Sequence, residues 1–174
     1  MDGLQQMYQQ VILDHAKKPH GRVSALGTVE GGQVGSAAIV HAEAHSGLAK
    51  AESHQVNPTC GDEITLEIQV NDGKVQELSW QGQGCSISQA SASVMTDIVT
   101  GESLTEAKRA EQLFHQLMNS RGKGLADEAA EEVLGDAVAF TGTSQYPARI
   151  KCALLGWMAL RDAISKVENV ESND

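Results

Sequence analysis

Apolar residues recur at helical intervals at the start of the chain. Leu4, Met7, Tyr8, Val11, Ile12 and His15 line up before Lys17-Lys18-Pro19 stops the pattern, so a first amphipathic helix is predicted. From Gly21 to about Val56 the sequence is rich in Gly, Ala, Ser and His with no sustained period, and reads as loop with at most one weak strand. Glu63 to Val70 then alternates polar and apolar without a fault. Asn71-Asp72-Gly73 supplies a tight turn, and Lys74 to Trp80 a return strand. Val75 and Leu78 fall out of phase in that strand, which places a bulge at Gln76 or Glu77.

The second half reads as helices. Cys85 to Val99 lacks Gly and Pro and sets Ile87, Ser91, Val94, Met95 and Ile98 on one face, ending at Gly101. Ser103-Leu104-Thr105-Glu106 has capping-box spacing and opens a helix to about Asn119. Leu125 to Phe140 is helical but broken at Gly135. Pro147 opens a last helix through Val167, with Ile150, Leu154, Met158 and Ala163 expected inward. The expected fold is α+β: a small antiparallel sheet of about three strands with helices packed on one face. One domain is expected over residues 1–174, with a loop insertion near 25–55 and a frayed acidic tail at 168–174.

Charge narrows the function. The net charge of -10, with basic residues adjoining only at Lys17-Lys18 and Lys108-Arg109, would repel phosphate backbones and anionic lipid. Nucleic acid is an unfavourable partner. No run approaches the roughly 18 apolar residues of a membrane span. Three cysteines far apart, with no signal-like apolar run at the start, fit a reducing compartment, and a cytoplasmic location is expected.

Each cysteine sits in a suggestive phrase: Asn57-Pro58-Thr59-Cys60-Gly61-Asp62, Gly82-Gln83-Gly84-Cys85-Ser86, and Arg149-Ile150-Lys151-Cys152. With Asp62 they offer four ligands, enough for a tetrahedral zinc site or for sulfur chemistry. Cys85 and Cys152 fall near helix starts, where the dipole and unpaired N–H groups favour thiolate, whereas Cys60 leads into the best strand from a turn. A free cysteine also serves as a small buried hydrophobe, and the separations of 25 and 67 residues match no short zinc pattern. The residues alone leave both readings open.

Taken in order, these three phrases, together with the opening Tyr8 to His15, resemble the IscU/NifU-N superfamily of iron-sulfur assembly proteins over most of the chain. Within it the sequence is more similar to the SufU type. Lys151 stands where scaffolds of the IscU type carry a histidine, the interval from Cys85 to Cys152 is long, and the Ser88 to Ser93 run and Tyr146 to Cys152 phrase look like the SufU versions. The resemblance implies Cys60, Asp62, Cys85 and Cys152 as zinc ligands. It also implies a zinc-dependent, sulfurtransferase-like acceptor that takes persulfide sulfur onto Cys60 from a pyridoxal-phosphate cysteine desulfurase of the SufS type. In that family the partner gives a histidine to the zinc and releases the accepting cysteine, and downstream iron-sulfur assembly proteins receive the sulfur. Arg149 is expected either to orient Asp62 or the incoming thiolate, or simply to face solvent.

One departure stands out. Between His15 and Cys60 the chain holds roughly twenty residues more than the SufU pattern, beyond a usual connection. His41, His45 and His54 fall in or near this stretch, where a solvated loop is the plain reading and an added ligand the sharper one. For Tyr8 and His15 the plain reading is a core-edge tyrosine and a hydrogen-bonded histidine, against a partner contact. Two other functions compete with sulfur transfer: a scaffold assembling an iron-sulfur cluster on the same ligands, and a zinc-stabilised interaction module without sulfur chemistry.

Overall fold

The computed structural model describes residues 2–24, 42–43 and 48–172. Helix α1 spans Gly3–Lys17, and Asp2 caps it by accepting from Gln5 N–H at 2.8 Å. The sheet is antiparallel in the order β1 (Ala42–Glu43), β2 (Leu48–Val56), β3 (Glu63–Asn71), β4 (Lys74–Gln83). It thus has three full strands and a two-residue edge strand.

The β3–β4 hairpin turns at Asp72 and Gly73, both at positive φ (51° and 75°), the backbone that a two-residue hairpin turn demands. Gln69 pairs with Glu77 but Val70 pairs with Val75, so Gln76 is the extra residue of a bulge. Gln76 and Glu77 are both exposed between buried Val75 and Leu78, which is how the strand keeps its apolar residues inward.

One sheet face carries Ala49, Ala51, Ile64, Leu66, Ile68, Val70, Val75, Leu78 and Trp80 into the core. Helix α5 (Pro147–Ser172) lies across β2 and β3 on that face, and α2 (Ser86–Val99) packs beside it. Helix α3 (Leu104–Met118) is capped by Ser103, whose hydroxyl accepts from Glu106 N–H at 3.1 Å. Helix α4 (Glu128–Leu134) ends at Gly135 (φ +50°), and a 3₁₀ helix follows over Gly135–Gln145. Phe114 joins these layers, stacked on Trp157 at 4.6 Å and edge-on to Phe140 at 5.9 Å. No helix among the described residues is long and apolar enough to cross a membrane.

Several expectations need correction. Leu48–Val56, read as loop with at most one weak strand, is a nine-residue strand that pairs along its whole length with β3. The last helix continues to Ser172, past the expected end at Val167. Of the residues expected inward, Ala163 is buried and Ile150 and Leu154 pack partly against the core, whereas Met158 is 47% exposed; Ala153, Trp157, Leu160, Ile164 and Val167 complete the inward face. The sheet and α2 meet the small residues of α5: a Cβ on Gly156 would lie 3.3 Å from Ala92. On α1, Leu4 and Met7 are exposed, since this helix packs through its C-terminal half, where Ile12, His15 and Ala16 meet the core. In α2 nearly every residue from Ser88 to Thr96 is buried, and Ile87 and Ile98 are half-buried, because α1, α5, the 3₁₀ helix and the sheet surround it.

Candidate metal centre

The loop between β2 and β3 is closed by its own first residue. Asn57 N–H donates to Asp62 O and Gly61 N–H to Asn57 O, both at 2.8 Å, while the Asn57 side-chain Oδ1 accepts from Thr59 N–H at 3.1 Å. Gly61 has φ +76°, which lets the chain reverse between Cys60 and Asp62. Cys60 is thereby held exposed at the loop tip and Asp62 is turned inward, 6% exposed.

The second arm is the strand-to-helix corner after β4. A Cβ on Gly82 would stand 2.3 Å from Glu63 O, so glycine there lets the strands close above the loop. Cys85 occupies the N-cap of α2 with its side chain exposed. Its backbone N–H and thiol act on the Asp62 carboxylate electrostatically. Cys152 forms the third arm from the second turn of α5, buried at 7%.

These arms converge. Cys60 Sγ lies 3.8 Å from Cys152 Sγ, and ligand atoms of Cys60, Asp62 and Cys152 all lie within 4.8 Å of one another. Cys85 stands just outside that tight group, with its thiol 3.7 Å from Ser88 Oγ, the hydroxyl that also reaches Asp62. The donor set suits zinc. A tetrahedral ion with Zn–S bonds of about 2.3 Å needs sulfurs about 3.8 Å apart, the separation seen between Cys60 and Cys152.

Electrostatics differ between the arms. Burial acts to raise the Asp62 carboxyl, but hydrogen bonds from Cys85, Cys60 and Cys152 and from the Cys85 backbone N–H outweigh it and hold the group below its usual value. For Cys152, burial pushes the thiol far up, with Cys85, Cys60 and Asp62 adding to the effect. This corrects the expectation of a dipole-stabilised thiolate at Cys152. Its sulfur points at Ala148 O, 3.6 Å away, and not at the free N–H groups of the helix start.

Arg149 is exposed with its guanidinium over the Tyr146 ring, 5.3 Å from the centroid, and among the described residues it makes no hydrogen bond to Asp62. The solvent-facing reading fits its position. Lys151 is exposed as well. His54 lies on the sheet face opposite the helices, bonded to Thr65 Oγ1 at 2.8 Å and 3.9 Å from Glu63. It joins no group of ligating side chains among the described residues. His41 and His45 lie outside the described residues. Tyr8 is half-buried, and His15 is a buried, hydrogen-bonded histidine.

Two contributors escaped sequence reasoning. Ser88 donates to Asp62 Oδ2 at 3.2 Å and to Cys85 O at 3.0 Å, and its hydroxyl lies 3.7 Å from Cys85 Sγ. It therefore braces the carboxylate from the first turn of α2. Its position three residues after the N-cap was the available signal. Asn57 belongs to the first cysteine phrase, but its role as the clasp of the loop depends on backbone partners that spacing does not reveal.

Comparison with known proteins agrees with this architecture. Residues 7–153 match the family model for the NifU-like N-terminal domain. The chain is 35% identical over 165 residues to the zinc-dependent sulfurtransferase SufU of Bacillus subtilis, covering 95% of this chain and 94% of that protein. It is 32% identical over 169 residues to the iron-sulfur cluster assembly scaffold protein IscU of Streptococcus pyogenes serotype M1, covering 97% and 89%. Among solved structures, the N-terminal part of a nitrogen-fixing NifU-like protein from Brucella abortus superposes with a TM-score of 0.71 at 22% identity, covering 95% of this chain and 97% of that one, which speaks for the fold alone. By family match and by similarity along nearly its whole length, the chain belongs to the NifU-like N-terminal domain family.

Proposed function

We propose that this protein acts in iron-sulfur cluster assembly as a zinc-dependent sulfur acceptor, taking persulfide sulfur from a SufS-type, pyridoxal-phosphate cysteine desulfurase in the cytoplasm. The observation that carries this reading is the pairing of one exposed sulfur with one buried sulfur. Cys60 is exposed on a loop tip, 3.8 Å from a Cys152 that is buried in α5. One thiol is presented to a partner while another is anchored.

Cys60, Asp62, Cys85 and Cys152 would hold the ion. Zinc bound there keeps thiols deprotonated and sheltered from oxidation until docking. The Cys60 thiolate attacks the outer sulfur of the partner's persulfide, a new S–S bond forms at Cys60, the partner's S–S bond breaks, and the partner's cysteine leaves as thiolate. The transfer is redox-neutral and needs no further reactant. Asp62, the one oxygen ligand among sulfurs, makes the set less committed than four thiolates, which suits a site that must release Cys60.

The test pairs metal analysis of the purified protein with desulfurase turnover. Zinc near one equivalent is expected, with stimulation of turnover that Cys60→Ala abolishes while circular dichroism stays unchanged. Stimulation retained by Cys60→Ala would overturn the proposal and leave a zinc-stabilised interaction module.

A scaffold function on the same ligands is the second reading, favoured by the similarity to IscU along 97% of the chain. Lys151, in place of a ligating histidine before Cys152, weighs against it. Anaerobic reconstitution that yields a stable cluster, delivered to an apo-acceptor, with zinc irrelevant to turnover, would select the scaffold.

A further inference from the structure

A second group of ligating side chains lies at the far end of α2. Asp97 follows Cys85 by twelve residues, roughly 18 Å along a helix at 1.5 Å per residue. There the last turn of α1 brings His15 against α2, buried at 8%, with Nδ1 2.7 Å from Ser93 Oγ. The chain turns at Pro19, and His20 returns beside it. His20 is fixed through its backbone: its N–H donates to the same Ser93 Oγ at 2.7 Å, and its carbonyl accepts from Trp80 Nε1–H at 2.9 Å. Gly21 O then accepts from Trp80 N–H at 2.9 Å, and a Cβ on Gly21 would lie 2.6 Å from Thr96 Cγ2, so the turn is pressed onto α2.

These restraints gather three donors. The His15 and His20 rings meet edge to face with centroids 5.0 Å apart. His20 Nδ1 lies 2.7 and 2.9 Å from the two Asp97 oxygens. Ligand atoms of His15, His20 and Asp97 all fall within 4.8 Å of one another. Asp136, from the 3₁₀ helix, borders the group with Oδ2 3.8 Å from His15 Nε2. As an ion pair alone, the half-exposed His20–Asp97 contact adds little to stability. Ser93 is a hydrogen-bond partner outside the donor set, of the kind that orients a ligating imidazole through its other nitrogen.

We propose that His15, His20 and Asp97, with Asp136 as an added oxygen donor, form a second metal site that takes a first-row divalent cation such as Zn²⁺, Co²⁺ or Ni²⁺. Two imidazoles with carboxylate match the borderline character of these ions and not that of Ca²⁺ or Mg²⁺, which want oxygen alone. The ion would clamp the end of α1 and the following turn to α2, a function separate from the cysteine centre.

The experiment uses the full chain with its first equivalent of zinc in place, titrated at neutral pH with Co²⁺. A saturable second equivalent is expected that raises the melting temperature, produces no sulfur-to-cobalt charge-transfer band, and broadens the His15 and His20 ring signals in NMR spectra. His20→Ala and, separately, Asp97→Asn should weaken this second equivalent by about tenfold or more while keeping the first zinc. Asp97→Asn changes no backbone contact of the turn and covers the case in which His20→Ala disturbs folding. Absence of a second equivalent, its persistence in Asp97→Asn, or a thiolate charge-transfer band accompanying it would overturn the proposal.

Discussion

Gly84 and Asp62 approach so closely that a Cβ on Gly84 would stand 3.0 Å from Asp62 Cγ and 2.4 Å from Ser88 Oγ. The glycine lets the corner before α2 close over the carboxylate, and Ser88 braces the other side. Gly84→Ala should therefore push the carboxylate out of the donor group without removing any ligand. Zinc affinity is expected to fall about 10- to 100-fold, the usual effect of disturbing groups that orient a ligand, as read by competition with a chromophoric chelator. Affinity equal to wild type would mean that Asp62 does not contribute a metal bond.

Asp62→Ala removes the proposed oxygen ligand altogether. Zinc should dissociate more readily and desulfurase stimulation should fall with it, while the fold persists on the core laid down by α2, α5 and the sheet. Metal retention on dialysis against a chelator and sulfide release are the two readouts. Tight zinc together with normal transfer in this variant would remove Asp62 from the ligand set and leave the three sulfurs to be completed by another donor.

The carboxylate, the sulfurs and the hairpin were legible to different degrees, and for physical reasons. The hairpin announces itself locally: Asn71-Asp72-Gly73 dictates the turn, and the phase slip between Val75 and Leu78 marks the bulge at Gln76. The Cys85 N-cap, the Ser103 cap and the break at Gly135 are equally local signals. Strand β2 reads as at most a weak strand, although Ala49, Ala51 and Ser53 alternate with Lys50, Glu52 and His54, because its inward residues are small. They are small because α5 packs tightly there, with Ser53 donating to Asp162 at 2.7 Å. The same cause hid the inward face of α5, where alanines and Gly156 mark closest approach while the bulkier Met158 faces out. Convergence of Cys60 with Cys152 across 92 residues has no local trace at all, and only the resemblance of whole phrases pointed to it.

That close packing includes a polar pair whose loss should be measurable. Buried Ser91 donates to Ala153 O at 2.6 Å and accepts from Trp157 Nε1–H at 3.0 Å, tying α2 to α5 beneath the cysteine centre. Ser91→Ala leaves the indole N–H buried without a partner. Unfolding free energy should fall by about 1–3 kcal/mol, seen as a lower urea midpoint with an unchanged slope. A midpoint equal to wild type would mean that the indole donor finds another acceptor in the variant.

The sheet face opposite the helices carries a testable electrostatic cost. Glu67 faces Glu52 directly across β2–β3, with Glu77 and Lys50 nearby. Burial raises its carboxyl, Lys50 opposes that, and Glu52 and Glu77 add to it, for a net rise above the ordinary value. The folded chain therefore holds this proton more tightly than the unfolded chain does. The associated stability is present below the unfolded pKa and is lost as pH rises through the higher folded pKa. Glu67→Gln should accordingly be more stable than wild type at neutral pH, by a few tenths of a kcal/mol as expected for relief of a cross-strand like-charge pair. The difference should shrink toward zero once the medium is acid enough to protonate Glu67 in both states. Paired thermal melts at neutral and acid pH measure it. A stabilisation that stayed constant across the carboxylate range would assign the gain to packing or to strand propensity and not to the Glu67 charge.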